Sequence, residues 1–163
     1  MLFRSSLLNS RRWAAYTANI GPEPLADDFD QDRFARQLAG TRQAIKKALM
    51  DQRRLAGVGN IYANEALFRA GIDPSRRADR LTAGELAHLY DAVLDVLREA
   101  LAAKGSTVRD YRTGTGQRGS YQHALRVYGR GGEPCPRCGW QLVTTHAIDG
   151  RATTFCPRCQ GAA

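Results

Sequence analysis

Apolar residues recur at helical spacing through most of the first two thirds of the chain. Phe34 and Leu38 sit four apart, after an aspartate among Asp27, Asp28 and Asp30 that suits an N-cap and before Gly40, which suits a stop. A second helix is predicted over 41–51, with Ala44, Ile45, Ala48 and Leu49 as its apolar stripe. Gly57-Val58-Gly59-Asn60 then makes a tight turn, Asn60 is the expected N-cap of a helix reaching Ala70, and Gly71 ends it. Thr82-Ala83-Gly84-Glu85 is a capping box and opens the longest helix, about 83–104, whose Leu86, Leu89, Tyr90, Val93, Leu94, Leu97 and Leu101 keep one face apolar. Gly105 closes it. Residues 21–104 thus read as four helices with short connections.

The pattern changes afterwards. Residues 113–120 are a glycine-rich loop that, taken alone, reads as a solvated linker. Gln141–Ile148 and Arg151–Phe155 read as strands, and Asp149-Gly150 between them is the preferred dipeptide of a two-residue hairpin turn. Gly21-Pro22-Glu23-Pro24 marks a linker near the start. Residues 1–20 before it are expected to be poorly structured. Rich in Arg and Ser and free of acids, they also have the composition of an organelle transit peptide, but a frayed start or a remnant of a preceding segment is the plainer reading.

Charge sharpens this picture. The 163 residues carry a formal net charge of +8, and 21 of the 24 cations are arginine, the side chain whose planar fork matches phosphate oxygens and guanine edges. Residues 23–104 are balanced, whereas 105–163 hold eight arginines against three acids, placing the electrostatic footprint at the C-terminal end. No apolar run approaches the 18 or so residues of a membrane span.

The four cysteines fall into two pairs, Cys135-Pro136-Arg137-Cys138 and Cys156-Pro157-Arg158-Cys159, with 17 residues between them. Two such knuckles complete a tetrahedral four-sulfur site, so one zinc per chain is expected; a rubredoxin-like iron or two disulfides are the alternatives. Zinc would staple the hairpin and put Arg151 at its tip, a place that suits either a solubility residue or a groove contact. Removing zinc is expected to unfold residues 134–160 and spare the helices. His146 is expected to pack or lie at the surface rather than act as a ligand. The glycine turn before a helix offers bare backbone N–H groups to an anion, with Gly57 and Gly59 allowing close approach and the Asn60 amide available to an oxygen.

Lys46 to Met50 followed by Leu55-Ala56-Gly57-Val58-Gly59-Asn60-Ile61-Tyr62-Ala63-Asn64-Glu65-Ala66-Leu67-Phe68 resembles the helix–two-turns–helix segment of the formamidopyrimidine-DNA glycosylase and endonuclease VIII family. Gln122 to Arg130, Gly132 to Cys135 and Gly150 to Cys159 resemble its zinc-finger end, and Leu25 to Phe29 its interdomain linker. The Val-Tyr-Gly-Arg stretch and the long glycine loop favour the formamidopyrimidine branch.

The resemblance implies a mainly α fold: a helical DNA-binding domain over 21–112, a lesion-recognition-type loop over 113–122 and a four-cysteine zinc finger over 123–163. It implies that Asn60 grips phosphates flanking a flipped-out nucleotide, that Lys46 helps position that backbone, and that Arg151 holds phosphates from the other side. Gly57, Gly59 and Tyr62 belong to the same DNA-binding set, and the loop from Thr113 to Tyr121 would fold over the extruded base. The implied partner is double-stranded DNA with an oxidised purine or an abasic site, in a bacterial, cytoplasmic, nucleoid-associated repair protein. Family members begin with a Pro-Glu pair that supplies the amine nucleophile and an acid, on an N-terminal β-sandwich domain. This sequence starts Met1-Leu2-Phe3-Arg4. The expectation is therefore a DNA-gripping half that binds rather than cuts by itself, with a separate N-terminal catalytic half as a further partner. The competing readings are a stand-alone, non-catalytic zinc module that holds DNA, and a small zinc-ribbon or redox scaffold.

Overall fold

The computed structural model describes residues 9–105 and 120–161. Five helices and one small hairpin follow in chain order: α1 (Ser10–Thr17), α2 (Gln31–Leu38), α3 (Ile45–Met50), α4 (Asn60–Ala70), α5 (Ala83–Ala102), β1 (Val143–Thr145) and β2 (Thr153–Phe155). Single 3₁₀ turns lie at Ala78–Arg80 and Tyr121–Ala124.

Helices α2 to α5 surround one apolar core. Phe34, Leu38, Ile45, Leu49, Leu55, Val58, Leu67, Leu89 and Val96 are among its buried members, and α4 against α5 is its main seam. The α5 capping box is closed: the Thr82 hydroxyl accepts from the Glu85 N–H, and the Glu85 carboxylate accepts from the Thr82 N–H. Asp30 caps α2 by accepting from the Arg33 N–H at 2.7 Å.

The structure departs from the sequence expectations at four places. Residues 10–17, expected to be poorly structured, form α1, whose first turn is capped by the Asn9 side chain accepting from the Arg12 N–H. Its sparse apolar pattern hid it. Helix α3 begins at Ile45 rather than 41, because residues 41–45 pair with 76–79 instead: Ala78 and Asp79 donate to the carbonyls of Gln43 and Thr41, and Ile45 donates to that of Arg76. Asn60 is the first residue of α4, and the cap position belongs to Gly59. The strands are also shorter than predicted. Residues 132–135 pair with 140–142 around the first knuckle, and seven residues, 146–152, separate β1 from β2. The register places Thr145 opposite Thr153, so Asp149-Gly150 lies within a longer loop. Of the expected glycine loop, residues 113–119 lie outside the described residues.

Candidate nucleic-acid interface and metal centre

Four sulfurs meet at one point. Among the described residues, Cys135, Cys138, Cys156 and Cys159 form the one cluster of metal-ligating side chains, with their sulfurs all within 4.8 Å of one another. The Cys135–Cys159 and Cys138–Cys156 separations are 3.9 and 3.6 Å. A tetrahedron with ~2.3 Å Zn–S bonds has edges near 3.8 Å, so the site is cut for zinc, and at these distances all four thiols are free. Backbone N–H groups of Arg137 and Cys159 point at the sulfurs of Cys135 and Cys156, both at 3.4 Å. The Trp140 N–H holds the Cys138 thiol down to about 7, whereas burial pushes that of Cys159 up to about 12. A dication resolves that conflict by neutralising the thiolates it gathers. The cysteines are placed to bind one zinc ion. His146 stands outside the cluster.

The finger is bolted to the helices by buried polar side chains. Phe68 of α4 completes the finger's own apolar cluster with Val127, Cys135, Leu142 and Cys156, and Arg137 stacks on its ring at 4.8 Å. The fully buried Glu65 carboxylate accepts from the backbone N–H groups of Arg126, Val127 and Tyr128, each at 2.9 Å. Asn64 accepts from the Thr154 N–H at 2.7 Å, and Gln160 donates to the Ile72 carbonyl at 2.9 Å. Lys46 is enclosed: it is 0% exposed, and its ammonium donates to the Thr153 hydroxyl at 2.8 Å and lies 3.4 Å from an Asp149 oxygen. Burial lowers its pKa, Asp149 counters that, and the Arg151 charge adds to the lowering. Lys46 thus reaches the interface through the Arg151 loop.

On the open side, the glycine turn and the Arg151 loop touch. The Asn60 amide donates to the Ala152 carbonyl at 3.1 Å, so it joins the two halves of the expected grip. Asn64 donates to the Asn60 carbonyl at 2.7 Å and lies 3.3 Å from its side-chain oxygen, fixing that amide's orientation. Gln52 holds the turn from behind, accepting from the Gly57 N–H and donating to the Val58 carbonyl, both at 2.9 Å. The first intrahelical bond of α4 runs from Ala63 to Gly59. The backbone N–H groups of Asn60, Ile61 and Tyr62 have no acceptor among the described residues, and α4 has no side-chain cap.

The two glycines differ. Gly57 has φ +80°, which demands glycine, whereas Gly59 has an ordinary extended backbone, φ −99°. A Cβ at Gly59 would meet nothing within 4 Å. The fold therefore leaves that face open without needing glycine there. Arg151 is exposed beside it, with its backbone N–H on Asp149 at 3.0 Å. Tyr62 packs edge-on to the buried Tyr121 ring, 6.0 Å between centroids, and lines a cleft of about 390 Å³ with Gly57, Leu25 and Leu101. Gln52, Asn64, Glu65 and Thr153 were not singled out from sequence, and Asp149 only as a turn residue. For Asn64-Glu65 a signal existed: two polar residues stand amid the buried run Ala63 to Phe68.

Residues 20–112 match the family model described as the formamidopyrimidine-DNA glycosylase H2TH domain, the helix–two-turns–helix unit. The chain belongs to the formamidopyrimidine-DNA glycosylase family. Residues 132–161 match the zinc finger found in that family and in isoleucyl-tRNA synthetases. The formamidopyrimidine-DNA glycosylase of Desulfitobacterium hafniense is 53% identical over 143 residues, covering 88% of this chain and 52% of its own length. That of Thermomicrobium roseum is 48% identical over 158 residues, 96% of this chain and 54% of the relative. The crystal structure of the Thermus thermophilus protein superposes with a TM-score of 0.86 at 45% identity, covering 94% of this chain and 58% of that one. The Lactococcus lactis protein in complex with abasic-site DNA gives 0.86 at 36% identity, covering 95% and 57%. The chain spans about half the length of these relatives. Among the described residues, no helix is long and apolar enough to cross a membrane.

Proposed function

We propose that this protein binds duplex DNA at an oxidised purine or an abasic site, holding one strand between the N-terminus of α4 and the Arg151 loop. The observation that carries the reading is the row of N–H groups at Asn60, Ile61 and Tyr62, unpaired among the described residues, beside the exposed Arg151, with the Gly59 face left clear for a phosphate. Phosphates would accept from these N–H groups on one side and from the Arg151 guanidinium on the other. Asn60 serves this grip by tying the turn to Ala152, and Lys46 serves it by anchoring the loop through Thr153 and Asp149. The glycosylase reaction named for the relatives and the abasic-site DNA of the Lactococcus lactis complex favour such a damaged site as the target.

In this reading the described residues of the interface grip and do not excise. Excision with strand cleavage needs an uncharged amine at the sugar C1′ and an acid nearby. The Lys46 amine at the interface is enclosed and bonded to Thr153. The chemistry of excision falls in this reading to residues other than those of the grip.

The test is fluorescence anisotropy with duplexes carrying a tetrahydrofuran abasic-site analogue, 8-oxoguanine or no lesion. A grip on about four to six phosphates predicts a log–log salt slope near −4 to −5. Asn60→Ala and Arg151→Ala should each weaken binding substantially. Salt-independent binding, or both variants indistinguishable from the parent, would defeat the reading. Efficient borohydride trapping on the 8-oxoguanine duplex would refute the division between grip and chemistry.

A further inference from the structure

A second polar recess adjoins the Arg151 loop. It is a cleft of about 310 Å³ between α3 and the loop, lined by Gln43, Lys47, Asp51, Arg53, Asp149 and Arg151. Its charges can be matched one by one. Asp149 is taken from behind by the Lys46 ammonium and from within its loop by the Arg151 N–H. Asp51 is held by both forks of the Arg53 guanidinium, at 3.1 and 3.2 Å, with Arg54 at 3.9 Å. Both carboxylates of the cleft are therefore neutralised, Asp149 by Lys46 and Asp51 by Arg53 with Arg54 alongside. Two cations remain: Lys47 on the α3 wall and Arg151 on the loop wall, both exposed and neither in an ion pair among the described residues.

Helical geometry produces this arrangement. Lys46 and Lys47 are neighbours about 100° apart around α3. The first is driven into the seam with the finger and the second outward into the cleft. One lysine fixes the loop and the other faces the same loop's arginine across open space. An ammonium and a guanidinium converging on a recess, with the Gln43 amide as a third polar group, suit a group that offers several acceptor oxygens and one negative charge.

We propose that this cleft is a further phosphate site, in which Lys47 and Arg151 hold one phosphodiester of the bound DNA from opposite walls. The proposal rests on the DNA-binding reading and extends the grip beyond the glycine turn, along the α3 face.

Salt-dependent binding of the whole chain to the tetrahydrofuran duplex tests it. Neutralising one phosphate contributes ~0.9 to the log–log slope and about eightfold in affinity at 0.1 M monovalent salt. Because Arg151 shares that phosphate, Lys47→Ala should bind up to about eightfold more weakly with a slope shallower by up to ~0.9, and Lys47→Arg should keep the parental slope. Arg36→Ala removes the same charge from an exposed position on α2 outside the cleft and controls for net charge. In an Arg151→Ala background the Lys47→Ala loss should shrink, since both cations serve one phosphate. Parental behaviour of Lys47→Ala, or an equal loss in Arg36→Ala, overturns the site while leaving the grip at Asn60 and Arg151 standing. A parent protein with no salt-dependent binding overturns both.

Discussion

Glu65 gives the most exacting test of how the helices and the zinc finger are joined. Its carboxylate is 0% exposed, and one oxygen accepts from Val127 and Tyr128 while the other accepts from Arg126. Glu65→Gln keeps the shape but replaces one oxygen by an NH₂ group. If the nitrogen takes the position facing Arg126, one N–H meets a donor and loses its partner in the interior, at a cost of about 1–3 kcal/mol. The two surviving bonds fall from charge-assisted to neutral, which costs about 1 kcal/mol each. The opposite orientation strands two N–H groups and is worse. The sum is about 3–5 kcal/mol, a large part of the ~5–15 kcal/mol typical of a whole domain. The assay is urea denaturation of the zinc-loaded protein, read as a shift in midpoint at constant slope. Glu99→Gln is the control: its carboxylate pairs with the Arg69 guanidinium but is 47% exposed, and the loss should stay within about 1 kcal/mol. A Glu65→Gln protein within ~0.5 kcal/mol of the parent would refute the reasoning.

Three further outcomes are expected. Gly59→Ala should fold with nearly parental stability, because the backbone there is ordinary and the new methyl meets nothing, yet it should weaken DNA binding measured by anisotropy by blocking close approach. Chelating zinc should unfold the finger, seen by loss of its dispersed NMR signals, while helical circular dichroism persists; the helices should lose about 2–3 kcal/mol in urea, because Phe68 is left uncovered. The Tyr121 hydroxyl is buried without a hydrogen-bond partner among the described residues, and burial raises its pKa from 10.0 to about 12. The unfolded chain therefore releases that proton first, and stability should fall as pH rises from about 10 to 12, by about 2–3 kcal/mol. Tyr121→Phe should flatten that alkaline limb and leave stability at neutral pH equal or slightly higher; a limb unchanged in the variant would assign it to other groups.

The helical register was readable because it rests on local signals. Asp30, the Thr82–Glu85 box and Gly71 act within a turn of themselves, and each stands where the sequence places it. The cysteine knuckles are equally local, so their meeting at tetrahedral spacing follows from two short motifs. What could not be read is partnership across the chain. Nothing near Lys46 announces that its ammonium bonds Thr153, or near Glu65 that its acceptors serve Val127. Asp149-Gly150 misled for the same reason: the dipeptide favours a two-residue turn locally, but Asp149 is engaged by Lys46 from a distant helix and its loop is drawn out to seven residues. The helix at 10–17 escaped because its signal is a cap with little apolar pattern behind it.

The 11 residues of α4 bring these observations into one argument. One face, with Ala63, Ala66 and Leu67, closes the helical core, while Asn64, Glu65 and Phe68 carry the finger. Its first turn, left uncapped, is where the N–H groups stand open. The spacing between those groups and Arg151 is therefore set by hydrogen bonds at Asn60, Asn64 and Lys46, three of whose partners lie within 152–154. A grip assembled this way has little left to order when an anion arrives, and ordering is what commonly consumes the affinity of a polar interface. The burial of a lysine and a glutamate, which would be a poor choice for stability alone, becomes intelligible on this account. Directional, charge-assisted bonds fix the finger's register against α4 more narrowly than apolar contacts could. A register error of one residue in β2 would turn Arg151 away from the glycine turn and exchange the inward and outward faces of Thr153 and Thr154.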